Sequence, residues 1–288
     1  MSTGTTDRLR QRLRNADSFE VGRFLATLLV LAFWVLPLAA ILFISLKPTD
    51  QLITGGFWAL PQDLAVVDNL ATAWEDANFR NYAINSLIYA TVGGGLAVFL
   101  ASLAGFTIAR LDPPGKEWLL YAILLFTFFP FQMYLIPLVR MWHITDLFNT
   151  RSGMVVVYVA IAIPFAAFVL RNYFVTLPHS LYESARIDGL SDFQIYWKIY
   201  LPLAKPALAV ALIFQWVWIW NEFLFGLVLT SSADARPIAT GLASLSGRSP
   251  RWSVLAVGTL LTIIPAAIIY ISLQKYFVRG LLAGTKKG

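Results

Sequence analysis

Cysteine is absent from the 288 residues, and histidine occurs only at His143 and His179. Without thiols there is no disulfide framework, no thiolate zinc site and no iron–sulfur cluster. Two isolated imidazoles are too few for a histidine-based metal site, so neither a metal nor a redox cofactor is expected. Charge is scarce as well: Asp, Glu, Lys and Arg make up 13% of the chain, against 58% hydrophobic residues and a net charge of +6. A soluble domain carries about 25% charged residues, so this chain cannot coat a water-facing surface, and it reads as an integral membrane protein. No grouping of nucleophile, base and orienting residue is visible, which argues against a membrane enzyme. The sequence pI near 9.6 does not imply nucleic acid, because the basic residues lie between apolar runs rather than in a patch with aromatic partners.

What the chain has in quantity is long apolar runs. A hydrocarbon core of about 30 Å takes ~20 apolar residues in a helix, since in lipid each segment must satisfy its own backbone hydrogen bonds. Six runs qualify: Phe24 to Leu46, Asn81 to Ala109, Trp118 to Val139, Ser152 to Leu170, about Ala207 to Thr230, and Trp252 to Gln274. The expected fold is therefore all-α, with six transmembrane helices. The first run is longer than the ~7–15 residues of a signal-peptide core and is followed by charges and prolines, so it is expected to stay as a span.

Orientation follows from Lys and Arg, which are retained in cytoplasmic loops. With the N-terminus inside, fifteen of the 22 basic residues fall on the cytoplasmic side, among them Arg8, Arg10, Arg12, Arg14, Arg23, Arg110, Arg171 and Lys198. The seven others are Lys47, Arg80, Arg140, Arg151, Arg236, Arg248 and Arg251. The expected organisation is a cytoplasmic segment at 1–23, a membrane domain at 24–278 with its principal cytoplasmic loop at 172–206, and a cytoplasmic tail at 279–288. The outer segment from Lys47 to Arg80, with Pro48, Gly55, Gly56 and Pro61, reads as an irregular water-exposed loop.

The inner loop TLPHSLYESARIDGLSDFQIYWKIYLPLAKPAL carries two short helix signals. Ser180 with Glu183, and Ser191 with Gln194, have capping-box spacing. Gly189 supplies the stop between them, and Pro202 and Pro206 bound the second helix. The spacing predicts helix, glycine turn, helix across the membrane face. Such a knob suits either docking in a groove of another protein or lying at the interface as an amphipathic helix.

Within it, Glu183-Ser184-Ala185, three residues, Gly189, nine residues, then Ile199-Tyr200-Leu201-Pro202 resembles the EAA loop of the membrane subunits of binding-protein-dependent ABC importers. Only Ser184 departs from that pattern, where alanine stands. The tail from Gln274 to Gly284 and the segment Trp220-Asn221-Glu222-Phe223 resemble the carbohydrate, maltose-permease-like branch. The resemblance implies a permease subunit of the cell membrane with three kinds of partner: a dimer of cytoplasmic ATPase subunits, a second membrane subunit, identical or different, and an extracytoplasmic solute-binding protein. It implies a sugar or oligosaccharide as substrate, with a polyol or glycerol phosphate as alternatives. It also implies that Glu183, Ser184, Ala185 and Gly189 lie at the ATPase contact, that Ile199, Leu201 and Pro202 set the angle at which the loop rejoins the membrane, and that the tail offers a second contact. The chain itself is not expected to bind nucleotide, since no G-x4-G-K-[ST] between strand and helix occurs; Gly280 to Lys286 has the wrong order.

Inside the membrane Glu222 stands alone as an ionisable residue, and at depth a charge must face the bundle interior or water. Two roles are open to it: lining a solute path with Asn221, or bonding to a neighbouring span. Gly93, Ala97, Ala101 and Gly105 recur every four residues, a small-residue face for close helix packing. Pro37, Pro130, Pro137, Pro164 and Pro265 permit bends. Phe128, Phe129, Phe131, Trp216, Trp218 and Trp220 are further candidates for the path. A secondary transporter would show inverted repeats and paired ionisable residues, neither of which is visible.

Overall fold

A computed structural model of the chain describes residues 3–75, 77–246 and 251–285. All regular elements among them are helical. The long α1 (Thr3–Ser45) leads to α2 (Thr49–Thr54) and α3 (Val66–Trp74). Next come α4 (Phe79–Ile88) and α5 (Gly94–Phe106), joined by a π-helical turn at Tyr89–Gly93 and extended by another at Thr107–Leu111. Then follow α6 (Lys116–Phe128), α7 (Gln132–Ile144) and α8 (Arg151–Thr176). The loop after α8 holds α9 (Ser180–Ile187), α10 (Asp192–Ile195), a π-helical turn at Tyr196–Tyr200 and α11 (Leu201–Leu203). The chain continues through α12 (Lys205–Trp220), α13 (Leu224–Leu229), α14 (Ile238–Ser244) and α15 (Trp252–Thr285).

Four of these stretches are long and apolar enough to cross a membrane: Phe19–Ser45, Phe79–Leu111, Arg151–Thr176 and Trp252–Ser272. A fifth joins Asp192–Leu203 to Lys205–Trp220 across a 77° bend. The expected third run is not one helix. Pro130 lacks an N–H and forces the preceding Phe129 into an extended conformation (φ −72°, ψ 126°), so α6 stops there and α7 restarts beyond it. At 13 residues each, the two pieces are about 20 Å long and neither spans the hydrocarbon alone. The expected fifth run is also divided, with 221–223 non-helical between α12 and α13. Expected segment 1–23 is continuous with the first span in α1 from Thr3 onward. Side chains of 3–18 and 273–285, and residues 286–288, lie outside the described residues, so the expected tail contact of 279–288 does too.

Small residues place α5 against α8. Ala97 and Ala101 are fully buried, and a side chain at Gly105 would sit 2.9 Å from the backbone nitrogen of Arg171 and 3.3 Å from the carbonyl of Ala167. Without that missing methyl the two backbones could not approach so closely, and close contact is what drives helix association where lipid gives no hydrophobic effect. Buried side chains form two main clusters, one at each end of the bundle. One contains Tyr89, Met154, Tyr158, Trp216, Trp220 and Phe225. The other, beside the α8–α12 loop, contains Phe106, Phe174, Ile195, Tyr196 and Tyr200.

The loop expected to be irregular between Lys47 and Arg80 is organised by buried polar side chains. Asn69 donates to the carbonyls of Ser45 and Lys47, Lys47 Nζ to the carbonyl of Phe57, and Gln51 to that of Leu60. Each bond supplies a partner for a backbone group that no helix satisfies. At the same end, Asn85 donates to the carbonyls of Ala233 and Arg236, and Arg151 donates to Asn85 Oδ1 at 2.8 Å. Tyr89 adds a 2.7 Å bond to the carbonyl of Ala235, so the backbone of 233–236 is pinned to α4 and α8.

Candidate functional site

The α8–α12 loop is a folded body. Gly189 takes φ +80°, the left-handed conformation expected at its position, and separates α9 from α10. At Ser191 the expected capping box forms: its Oγ accepts from the Gln194 amide, and Gln194 Oε1 accepts from the Ser191 amide at 2.9 Å. The box expected at Ser180 does not form, because the helix begins one residue early. His179 already has helical angles, the carbonyl of Pro178 takes the first bond, and Glu183 pairs instead with His179 Nδ1 at 3.1 Å. Arg186 to Asp192 (3.3 Å) and the 2.7 Å hydrogen bond from Tyr182 to Asp192 tie the two helices across the turn. Burial, and then that bond to an acidic acceptor, push the Tyr182 phenol above its ordinary pKa, which keeps it a donor.

Of the residues expected at a partner contact, Glu183, Ser184 and Gly189 are exposed. Ala185 is not: at 3% exposure it packs inward with Ile195, Tyr196 and Tyr200. A side chain no larger than a methyl lets α9 lie close on the second helix, so Ala185 shapes the knob from within. The exposed apolar groups are others, Ile187 at 85%, Phe193 at 64% and Trp197 at 51%. Ile199 and Leu201 are half-buried against the same cluster, and the exposed Pro202 opens α11 just before the 77° bend into α12. The sequence offered no sign that Ile187, Phe193 and Trp197, rather than the loop's other apolar residues, face outward.

At the far end of α12 the helix breaks around Glu222. Its carboxylate is buried and accepts from the amides of Phe225 (2.9 Å) and Gly226 (3.3 Å) and from the Tyr158 hydroxyl on α8 (2.9 Å). The bond to a neighbouring span, one of the two roles open to it, is therefore present, with Tyr158 the partner that the sequence did not single out. The break lines a cavity of about 690 Å³, with Asn221, Phe131 and Trp218 among its walls, and a second of about 530 Å³ shares Phe131 and Trp218 and adds Gln215. Non-helical backbone at membrane depth is tolerated where it lines such a space. Trp216 and Trp220 line neither cavity: they are buried, stacked at 5.0 Å, and donate to Thr91 Oγ1 and the carbonyl of Thr262. Phe129 is exposed, and the side chain of Phe128 lies outside the described residues. Among the described residues no grouping of His, Asp and Glu could hold a metal.

The chain is similar to known proteins. The chain is 31% identical over 270 residues to the osmoprotective compounds uptake permease protein GgtD of Synechocystis sp., covering 91% of each. It is 31% identical over 254 residues to the diacetylchitobiose uptake system permease protein NgcG of Streptomyces coelicolor, covering 87% of this chain and 83% of that one. Among solved structures, a subunit of a bacterial ABC transporter that imports the acidic polysaccharide alginate superposes with a TM-score of 0.77 at 24% identity, covering 92% of this chain and 98% of that one, which establishes the shared fold. Residues 93–282, which take in α5, the folded loop and the α12–α13 break, match the family described as binding-protein-dependent transport system inner membrane component, and the chain belongs to that family of ABC importer permeases.

Proposed function

We propose that the chain forms one half of the membrane path of an ATP-driven importer for a neutral sugar or short oligosaccharide. In this reading an extracytoplasmic binding protein delivers solute, a second permease subunit completes the path, and a pair of cytoplasmic ATPase subunits supplies the energy. Both termini lie inside. The observation that carries it is the loop between α8 and α12: a rigid knob, internally hydrogen-bonded, that presents Ile187, Phe193 and Trp197 to the surroundings. Exposed apolar side chains clustered on a structured tip mark a protein–protein contact. Glu183, Ser184 and Gly189 are exposed on the same loop, and in this reading Ile199, Leu201 and Pro202 hold the angle between knob and α12.

The cavities bear on the solute class. Aromatic faces at Phe131 and Trp218 suit the C–H faces of a pyranose, and Gln215 and Asn221 offer amides to its hydroxyls. No Lys or Arg is among the lining residues of either cavity, whereas the carboxylate of Glu222 is. Among the described residues a phosphate would meet no countercharge there, which disfavours glycerol phosphate and leaves sugars and polyols.

Reconstitution of the chain with its partner subunits in proteoliposomes tests the reading, using radiolabelled maltose, trehalose and a polyol as probes. The expected result is uptake that requires ATP and the solute-binding protein. Uptake driven by a proton or sodium gradient without ATP would refute it.

A further inference from the structure

A rigid knob transmits motion only if its two attachments to the membrane do not give. The chain leaves α8 at Leu177 and returns through the turn Tyr196–Tyr200. One buried side chain touches both. Arg110, at the inner end of the helix that begins at Phe79, donates through Nη2 to the carbonyls of Phe174, in the last turn of α8, and of Leu177, its C-cap (2.6 Å for the second). Its guanidinium also lies over the Tyr200 ring, 5.2 Å from the centroid. A helix C-terminus leaves carbonyls unsatisfied and carries partial negative charge, so a buried cation there is held by both.

Arg110 has company on its own helix. Ser102, Phe106 and Arg110 stand at intervals of four. Ser102 and the Tyr196 hydroxyl share a 2.6 Å hydrogen bond, and Phe106 packs on Tyr200 edge to face at 5.0 Å. The returning segment of the loop is therefore seated on α5 and its inner extension as well as on the two helices to which it is covalently joined. Tyr173 of α8 adds a bond from the exposed side, to the carbonyl of Leu203. That tie bridges α8 and the loop but does not reach α5.

We propose that Arg110 is the positioning residue of the transmission: it locks the start and the return of the loop to α5, so that displacement of the knob moves three membrane helices together. The inference rests on the importer reading above. The guanidinium is needed for its shape. A lysine could keep the charge near the carbonyls, but its compact ammonium cannot at once reach both carbonyls and present a planar cation over the Tyr200 ring as a guanidinium does.

The test uses the complete importer in proteoliposomes, with Phe223→Cys placed in the otherwise cysteine-free chain as a reporter at the cavity. Labelling of that thiol by a membrane-impermeant maleimide is followed with and without ATP and vanadate, and co-purification of the ATPase is measured in parallel. With Arg110 intact, the labelling rate is expected to change with nucleotide. In Arg110→Gln the ATPase stays bound and the nucleotide-dependent change shrinks by roughly tenfold or more, the weight of one lost charge-assisted hydrogen bond. Arg110→Lys recovers part of it, Tyr200→Leu mimics Arg110→Gln, and Tyr200→Phe behaves as the parent. An Arg110→Gln complex that keeps the full response, even with a lowered melting temperature, reduces Arg110 to a staple and overturns the proposal. Where Arg110→Gln fails to assemble, the contrast between Tyr200→Leu and Tyr200→Phe decides: equal responses overturn it. A parent complex indifferent to ATP refutes the importer reading, and this inference with it.

Discussion

Glu222 shows how one residue can be both legible and misleading in a sequence. A lone acid in an apolar run announces a polar interior, and both of its oxygens are engaged, by Tyr158, Phe225 and Gly226. Glu222→Ala would orphan these donors and should lower stability by roughly 2–3 kcal/mol, at about 0.6–1 kcal/mol per bond in a bilayer. Glu222→Gln keeps an acceptor and should lose less; thermal unfolding in detergent ranks the two. Gly189 makes the opposite kind of prediction. No atom lies within 4 Å of where its side chain would be, so crowding is not the constraint, but φ +80° is. Gly189→Val should cost about 1–2 kcal/mol of local strain and uncouple uptake while the protein still inserts, whereas Gly189→Asn should be tolerated. Equal ATP-dependent uptake in both variants would show that the turn does not matter. Gly189 was readable because a left-handed turn has a chemical signature. Ala185 was not, because its motif position says nothing about which way the residue faces.

Among the elements, the α5–α8 contact was written in the sequence as a four-residue recurrence of Gly and Ala, and it formed where expected. Gly105→Val forces a side chain against the Arg171 backbone and should destabilise by about 1–3 kcal/mol or more. Gly95→Ala, on the same helix with open space around it, should be neutral or gain up to ~1 kcal/mol of helix propensity. Melting curves that do not separate the two would mean that the stripe is not a packing face. The expected third and fifth runs are each broken rather than one continuous helix, for a reason that hydropathy cannot carry. A window average counts Pro130 and Glu222 as single residues, yet each governs the backbone around it, one by removing a donor and the other by capping a new helix. The platform of Ser102, Phe106 and Arg110 was hidden for a related reason, since its partners come from a loop far along the chain.

For the whole molecule, the fold class and the folded loop between α8 and α12 were legible from apolar length and cap chemistry. The cavities were not, because they are bounded by side chains brought together from α7, α8, α12 and α15. Orientation is testable on the cysteine-free background. A thiol at Asp188 should react with impermeant maleimide only from the cytoplasmic face, and one at Trp58 only from the other; the reverse pattern would invert the topology. One feature of the loop tip bears on how the protein must be made. Ile187, Phe193 and Trp197 are greasy and solvent-facing in the isolated chain, which is the signature that chaperones and membrane proteases recognise in an orphan subunit. If the proposed ATPase covers this tip, copies synthesised in excess of it should be short-lived, and production of this permease in quantity would call for matched co-expression rather than a stronger promoter.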